Sequence, residues 1–107
     1  MKNQKVRNPS RSRFYCKKVE SIFGSPLTKG SLAAIHLNPP RTGLSQRVMR
    51  GLMGVKPRTM TYLSCNPMTF KRDAQAIMQM GYQLEQVYAF DLFPGTFHLE
   101  ILGVFSR

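Results

Sequence analysis

The sequence predicts an α/β fold with a mainly parallel sheet and a C-terminal antiparallel hairpin. From residue 31 to residue 81, apolar strand-like segments alternate with segments of helical periodicity, which is typical of a parallel sheet covered by helices. Two further strand-like segments follow, with Pro94-Gly95 between them, as expected of a hairpin. The chain has 107 residues and is 42% hydrophobic, which is enough for one domain or part of one.

The first third of the chain contains less regular structure. Residues 1–12 are predicted to form a basic flexible tail, because Lys and Arg alternate there with Asn and Ser and apolar residues are almost absent. The segment RFYCKKVESIF (13–23) is typical of a short strand that passes into a turn or short helix. The segment SPLTKG (25–30) is typical of a loop.

The first strand–helix unit begins with SLAAIHL (31–37), which predicts a buried strand. Asn38-Pro39-Pro40 ends this strand, since proline cannot donate a hydrogen bond to a neighbouring strand. Ser45 is a suitable N-cap for the next helix. Val48 and Leu52 lie four residues apart and would share one apolar face of that helix.

The second unit repeats this arrangement and leads into the hairpin. TMTYLSC (59–65) predicts a strand, Asn66 an N-cap, and Pro67 the first helical position, where a missing N–H costs nothing. Gly81 is expected to end the helix. The apolar residues at helical spacing are Phe70, Ala74, Ile77 and Met78. The two strands of the hairpin are predicted at 82–93 and 98–106.

The charge of the chain indicates a polyanionic partner. The formal net charge is +11, from 16 Lys and Arg against 5 Asp and Glu, which favours nucleic acid first and an anionic membrane surface second. A solubilising surface is the alternative. No apolar run approaches the roughly 18 residues of a membrane span. RNA, and not a membrane, is therefore the expected partner. Two cysteines are too few for a disulfide framework or a zinc site, which predicts a reducing, cytoplasmic location and no metal.

Cys65 is the candidate nucleophile. It lies at the predicted carboxyl end of a strand, where open α/β sheets bind ligands, and just before a helix N-terminus, whose dipole favours a thiolate. A structural cysteine is the alternative. A thiol that acts in acyl transfer usually needs a histidine as its base. His36 is expected within a buried strand, and the only acidic residue near His98 in the sequence that could orient it is Glu100. Acyl transfer is therefore disfavoured.

Three motifs together resemble one enzyme family. LNPPRTGL (37–44), YLSCNPMTFKRD (62–73) and FDLFPGTFHLE (90–100) resemble, in this order, the C-terminal half of the S-adenosylmethionine-dependent RNA uracil-5 methyltransferases. The resemblance covers residues 13–107 and implies a partial Rossmann-like class I methyltransferase fold that lacks its first strands. It also implies S-adenosylmethionine as cofactor and tRNA or rRNA as substrate.

The resemblance implies roles for two residues in the reaction. Cys65 would attack carbon 6 of a uracil, which makes carbon 5 nucleophilic toward the methyl group. Glu100 would then remove the proton from carbon 5 so that the cysteine can leave. A carboxylate in an otherwise apolar strand suits a base. The alternative for Glu100 is a solvent-facing glutamate at a strand edge.

Three further site residues follow from the same resemblance. Asn38 would lie between the cofactor and the uracil and contact one or both, although the family usually has Asp-Pro-Pro-Arg here. Arg41 is either a phosphate contact or a solvated loop charge. His98 would line the uracil pocket, where Gly95 and Phe97 replace histidines common in the family.

The cofactor pocket is expected to be incomplete. The chain has no G-x-G turn, and Cys16-Lys17-Lys18 stands where relatives often carry an acidic or amide residue. The chain is therefore interpreted as a fragment, a truncated product or one half of a two-part enzyme, with an exposed sheet edge open to the missing half or to a homodimer partner. Two other functions stay open: a basic RNA-binding remnant without turnover, and a redox or acyl-transfer protein, which the lack of C-x-x-C disfavours.

Overall fold

The structure, a computed structural model, describes residues 18–23, 33–91, 95 and 99–107. A short 3₁₀ helix and six longer elements form this part of the chain: Val19–Ser21, β1 (Ala34–Leu37), α1 (Gln46–Val55), β2 (Thr59–Ser64), α2 (Pro67–Gln79), β3 (Gln83–Asp91) and β4 (Leu99–Ser106). The predicted basic tail, the strand expected from residue 13 to 17 and the 25–30 loop lie outside the described residues.

Both helices begin at the caps that the sequence predicts, and α2 ends next to the predicted glycine. The Ser45 side chain accepts a hydrogen bond from the Val48 amide, at 3.2 Å, and caps α1. The Asn66 side chain caps α2 in the same way, with Pro67 at the first helical position. Gly81 follows the last turn of α2 with a φ of 106°, a left-handed conformation that glycine adopts without steric cost.

The four strands form a mixed sheet, so the prediction of a mainly parallel sheet is wrong. The strand order is β1-β2-β4-β3. β1 and β2 are parallel, whereas β4 is antiparallel to both of its neighbours. α1 connects β1 to β2 and α2 connects β2 to β3, so these three strands run in the same direction. β4 runs in the opposite direction and lies between β2 and β3. The predicted C-terminal antiparallel hairpin is confirmed by the β3–β4 register.

The core lies between the helices and one face of the sheet. Tyr62 of β2 and Phe70 of α2 pack edge to face, with ring centroids 5.6 Å apart. Gly103 of β4 lies under the same Phe70 ring, since a Cβ there would come within 2.8 Å of it. The buried apolar residues are Leu37, Val48, Leu52, Met60, Tyr62, Phe70, Ala74, Ile77, Met80, Tyr82, Ile101 and Phe105. Neither helix of the described part is long and apolar enough to cross a membrane.

The first strand is less buried than its apolar sequence suggests. β1 pairs only with β2 in the described part of the chain, so it is an edge strand. Leu37 is buried, but Ala34 and His36 are exposed. The expectation of a buried strand around His36 is therefore wrong, because the helices cover only the face of the sheet that carries Leu37.

Candidate active site

Cys65 lies in the tight turn between β2 and α2. It follows the last residue of β2 directly and is half-buried, with a free thiol. The Ser64 hydroxyl accepts a hydrogen bond from the Asn66 amide at 3.0 Å and donates to the Asn66 carbonyl at 2.9 Å. These two bonds hold the turn on either side of Cys65 and fix the backbone that carries the thiol.

The loop that follows β1 is bound to this turn. The Arg41 carbonyl accepts hydrogen bonds from the Asn66 side-chain amide, at 3.1 Å, and from the Thr69 hydroxyl, at 3.0 Å. The exposed Arg41 guanidinium makes a long contact of 3.5 Å to the Cys65 carbonyl. The Asn-Pro-Pro-Arg loop and the Ser-Cys-Asn-Pro turn therefore meet at one edge of the sheet, as expected for two adjacent parallel strands.

A buried carboxylate, which the sequence analysis missed, anchors the same loop. Asp73 of α2 is 2% exposed. Its Oδ2 accepts from the Leu44 amide at 2.8 Å and from the Tyr62 hydroxyl at 2.5 Å. Its Oδ1 accepts from the Arg72 guanidinium, which also donates to the Thr42 carbonyl at 2.9 Å. The sequence does contain a signal for this buried carboxylate. Asp73 falls on the same helix face as Phe70, Ala74 and Ile77, where a carboxylate is exceptional.

The Asp73 anchor requires a glycine in the loop, which gives a testable consequence. Gly43 has a φ of 83°, and a Cβ there would come within 2.6 Å of an Asp73 carboxylate oxygen. We expect Gly43→Ala to destabilise the fold by about 2 kcal/mol. Gly54→Ala is the matched control, since Gly54 lies in α1 with open space around it, and alanine there should stabilise by about 0.5–1 kcal/mol. Urea unfolding of both variants measures this; equal effects would contradict the anchor.

The same network predicts how stability changes at alkaline pH. Burial, followed by the hydrogen bond to Asp73, raises the pKa of Tyr62, and burial also raises the pKa of Tyr82. In the unfolded chain both hydroxyls ionise near pH 10. The contribution of these two raised pKa values to the free energy of unfolding is therefore complete below about pH 10 and is lost as the pH rises above it. Tyr62→Phe should flatten this loss in urea titrations between about pH 9 and pH 11; an unchanged slope would contradict the assignment to Tyr62.

The strand register brings Glu100 opposite Cys65. Ser64 of β2 pairs with Ile101 of β4, so in an antiparallel pair the next residues to face each other are Cys65 and Glu100. Glu100 is half-buried and belongs to a strand with neighbours on both sides. Glu100 itself pairs with Phe90 of β3 and lies one residue beyond the last β2–β4 pair, and its role as the base stays a prediction.

The two other predicted site residues are Asn38 and His98. Asn38 follows β1 directly and is exposed at the same sheet edge as Cys65. His98 lies outside the described residues, and its predicted contact with the uracil stays a prediction. Among the residues that the structure describes, no three His, Cys, Asp or Glu side chains lie close enough to hold a metal ion.

The described residues do not form a complete pocket for S-adenosylmethionine. In this fold class a glycine-rich turn allows the close approach of such a cofactor. Two of the described glycines pack against other side chains: a Cβ at Gly51 in α1 would collide with the Phe23 ring, and Gly43 packs against the Asp73 carboxylate. The predicted contact of Asn38 with a cofactor stays a prediction.

Comparisons with known proteins identify relatives that match most of this chain. The tRNA (uracil-5-)-methyltransferase family model matches residues 14–107. The chain is 32% identical over 107 residues to an uncharacterized RNA methyltransferase of Caldanaerobacter subterraneus, covering 99% of the chain and 24% of that protein. It is 34% identical over 105 residues to the 23S rRNA (uracil(1939)-C(5))-methyltransferase RlmD of Pseudomonas putida, covering 97% of the chain and 23% of that protein.

A solved structure is also similar. The crystal structure of Pyrococcus abyssi tRNA (uracil-54, C5)-methyltransferase in complex with S-adenosyl-L-homocysteine matches with a TM-score of 0.61 and 36% identity, over 68% of this chain and 18% of that one. The chain belongs to the RNA uracil-5 methyltransferase family. It spans about a quarter of the length of the curated relatives, 24% and 23% in the two cases above.

Proposed function

We propose that this chain carries the nucleophile and the base of an enzyme that methylates carbon 5 of a uridine in tRNA or rRNA. The Cys65 thiolate adds to carbon 6 of the uracil and forms an S–C6 bond, which makes carbon 5 nucleophilic and ready for methylation. A bound methyl donor would supply the methyl group to carbon 5, and its sulfonium sulfur would leave as a neutral thioether. Glu100 then takes the proton from the methylated carbon 5. The electron pair of the C5–H bond restores the C5–C6 double bond as the S–C6 bond breaks.

The observation that supports this proposal most strongly is the opposition of Cys65 and Glu100. The β2–β4 register pairs Ser64 with Ile101, and one further step along both chains would bring Cys65 and Glu100 across from each other, at the end of the sheet where the parallel strands finish. A uracil ring between them would present carbon 6 to the thiol and carbon 5 to the carboxylate. A soft nucleophile and a carboxylate within reach of adjacent ring carbons is what addition and proton removal require.

The methyl donor requires residues beyond those described. The family resemblance implies S-adenosylmethionine, and the Pyrococcus abyssi relative is in complex with S-adenosyl-L-homocysteine, which is consistent with that donor. We propose that β1 joins the rest of a Rossmann-like sheet through its free edge. The partner strand would come from a missing half or from a second copy. Asn38 would then face both the donor and the uracil.

Trapping the covalent intermediate tests the proposed function. The chain is incubated with S-adenosylmethionine and a uridine-containing RNA in which the target is replaced by 5-fluorouridine, whose fluorine cannot be removed as a proton. We expect an RNA–protein complex that survives denaturing electrophoresis with the native chain and is absent with Cys65→Ala. No complex with either protein, under conditions in which both the RNA and S-adenosylmethionine are bound at saturation, would contradict the enzymatic function of this chain.

RNA binding without turnover is the second candidate function. The net charge of +11 and the incomplete cofactor pocket both favour it. Exposed cations surround the helices of the described part: Arg41, Arg47, Arg50, Arg58, Lys71 and Arg72. An RNA affinity that falls steeply with salt and is unchanged in Cys65→Ala, without any trapped complex, would identify this function.

A further inference from the structure

The tip of the loop after β1 is held by side chains of α2. The Gly43 amide donates to the Pro40 carbonyl at 2.9 Å and closes a turn with Arg41 at its tip. In such a turn the carbonyl of the first tip residue has no partner inside the turn. The Arg41 carbonyl accepts instead from the Asn66 side-chain amide at 3.1 Å and from the Thr69 hydroxyl at 3.0 Å. The backbone of Arg41 is therefore fixed from outside the loop.

The Thr69 hydroxyl has a single proton, and the surrounding bonds assign it to the Arg41 carbonyl. The other acceptor within reach is the Asn66 carbonyl, at 3.2 Å. That carbonyl already accepts from the Phe70 amide at 3.0 Å and from the Ser64 hydroxyl at 2.9 Å. Since a carbonyl oxygen has two lone pairs, Thr69 donates to the nearer acceptor, which is Arg41.

Two arginines of this region have different surroundings. Arg72 uses its guanidinium inside the protein, where it donates to the Asp73 carboxylate at 3.1 Å and to the Thr42 carbonyl at 2.9 Å. Within the described residues, the exposed Arg41 guanidinium makes one long contact, of 3.5 Å to the Cys65 carbonyl, and no ion pair. Arg41 therefore keeps donors free beside the cysteine, as its predicted contact with an RNA phosphate requires.

We propose that Thr69 is a positioning residue of the reaction, which holds the free Arg41 guanidinium beside Cys65 through the Arg41 carbonyl. This inference rests on the proposed function, because it requires a uridine bound at Cys65 whose phosphate Arg41 contacts. Without the hydroxyl, the carbonyl keeps one bond in place of two, so the loop gains freedom to move. A misplacement of about 1 Å in a group that orients a substrate can cost about 10²-fold in rate.

Trypsin cleavage of the folded chain measures whether Thr69 holds the loop. Thr69→Val keeps the shape of the side chain and removes the hydroxyl, while the Arg41 carbonyl keeps its second donor. We expect cleavage after Arg41 to be about three- to ten-fold faster in Thr69→Val and unchanged in Thr69→Ser. Cleavage after Arg50, within α1, is the internal reference and should be equal in all variants. Thr59→Val is the matched control, since the Thr59 hydroxyl contacts the Ala33 carbonyl, at 3.4 Å, at the start of β2.

The rate of covalent trapping with 5-fluorouridine RNA measures whether the held loop serves the reaction. With S-adenosylmethionine and RNA both bound at saturation, we expect Thr69→Val to be trapped about ten-fold more slowly than the native chain. The RNA Kd, measured by fluorescence anisotropy, should be unchanged, because many cations share the binding of RNA. Thr69→Ser and Thr59→Val should be trapped at the native rate. In an Arg41→Gln background, Thr69→Val should slow trapping no further, since it acts through Arg41.

Three results would overturn the proposal. A native rate of cleavage after Arg41 in Thr69→Val would show that the hydroxyl does not hold the loop. A native rate of trapping in this variant would refute the role of Thr69 and leave the proposed function standing. A further slowing in the Arg41→Gln background would show that Thr69 does not act through Arg41. The absence of trapping with the native chain would instead remove the proposed function, and the role of Thr69 with it.

Discussion

Replacing Glu100 with glutamine is expected to lower the formation of 5-methyluridine by roughly 10²–10⁴-fold. Glutamine has nearly the same shape but cannot accept the proton from carbon 5, whereas the Cys65 thiol can still add to carbon 6. The covalent RNA–protein complex should therefore accumulate with ordinary uridine. Denaturing electrophoresis measures the complex, and nucleoside analysis by liquid chromatography measures the product.

Glu85→Gln is the matched control for this prediction. Glu85 is an exposed carboxylate of β3 that accepts a hydrogen bond from the Ser106 hydroxyl at 2.6 Å, at the opposite end of the sheet from Glu100. Its replacement should leave both the product and the complex as in the native chain. A loss of product in Glu100→Gln without accumulation of the complex would contradict the role of Glu100 as the base, since it would place the defect before addition of the thiol.

Replacing Asp73 with alanine is expected to lower the free energy of unfolding by about 3 kcal/mol. The substitution leaves the Tyr62 hydroxyl and the Leu44 amide without the acceptor that each now uses. Because domains of this kind are stable by only about 5–15 kcal/mol, the loss is a large fraction of the total. Chemical denaturation followed by circular dichroism measures it.

Asp91→Ala provides the comparison for Asp73→Ala. Asp91 is an exposed carboxylate at the end of β3, and surface substitutions of this type change stability by about 0.5 kcal/mol or less. The unfolding free energy of Asp73→Asn, which keeps an acceptor oxygen, should lie between those of Asp73→Ala and Asp91→Ala. Equal unfolding free energies for Asp73→Ala and Asp91→Ala would show that the buried network does not hold the loop.

The local elements could be predicted because their signals are local. Ser45 and Asn66 cap the two helices through amides only two or three residues away. Apolar spacing identified the buried faces of α1 and α2 for the same reason. Cys65 could be placed between a strand and a helix from the Ser-Cys-Asn-Pro motif alone, although its exposure could not.

The sheet arrangement and the polar anchor could not be predicted in the same way. The position of β4 between β2 and β3 depends on pairing between distant segments, which the alternation of strands and helices does not encode. The bond from the Leu44 amide to Asp73 joins residues 29 positions apart. The opposition of Cys65 and Glu100 likewise depends on the register of β2 and β4, and a shift of one residue would turn Glu100 to the other face.

The most direct test of the central claim is to identify the residue that binds the uracil. The complex with 5-fluorouridine RNA is digested with trypsin and nuclease, and the peptides are analysed by mass spectrometry. Cleavage after Arg58 and Lys71 gives a peptide, Thr59–Lys71, in which Cys65 is the only cysteine. The account predicts that this peptide carries the nucleotide, bound at Cys65. A nucleotide on any other peptide, such as the one that contains Cys16, would contradict it.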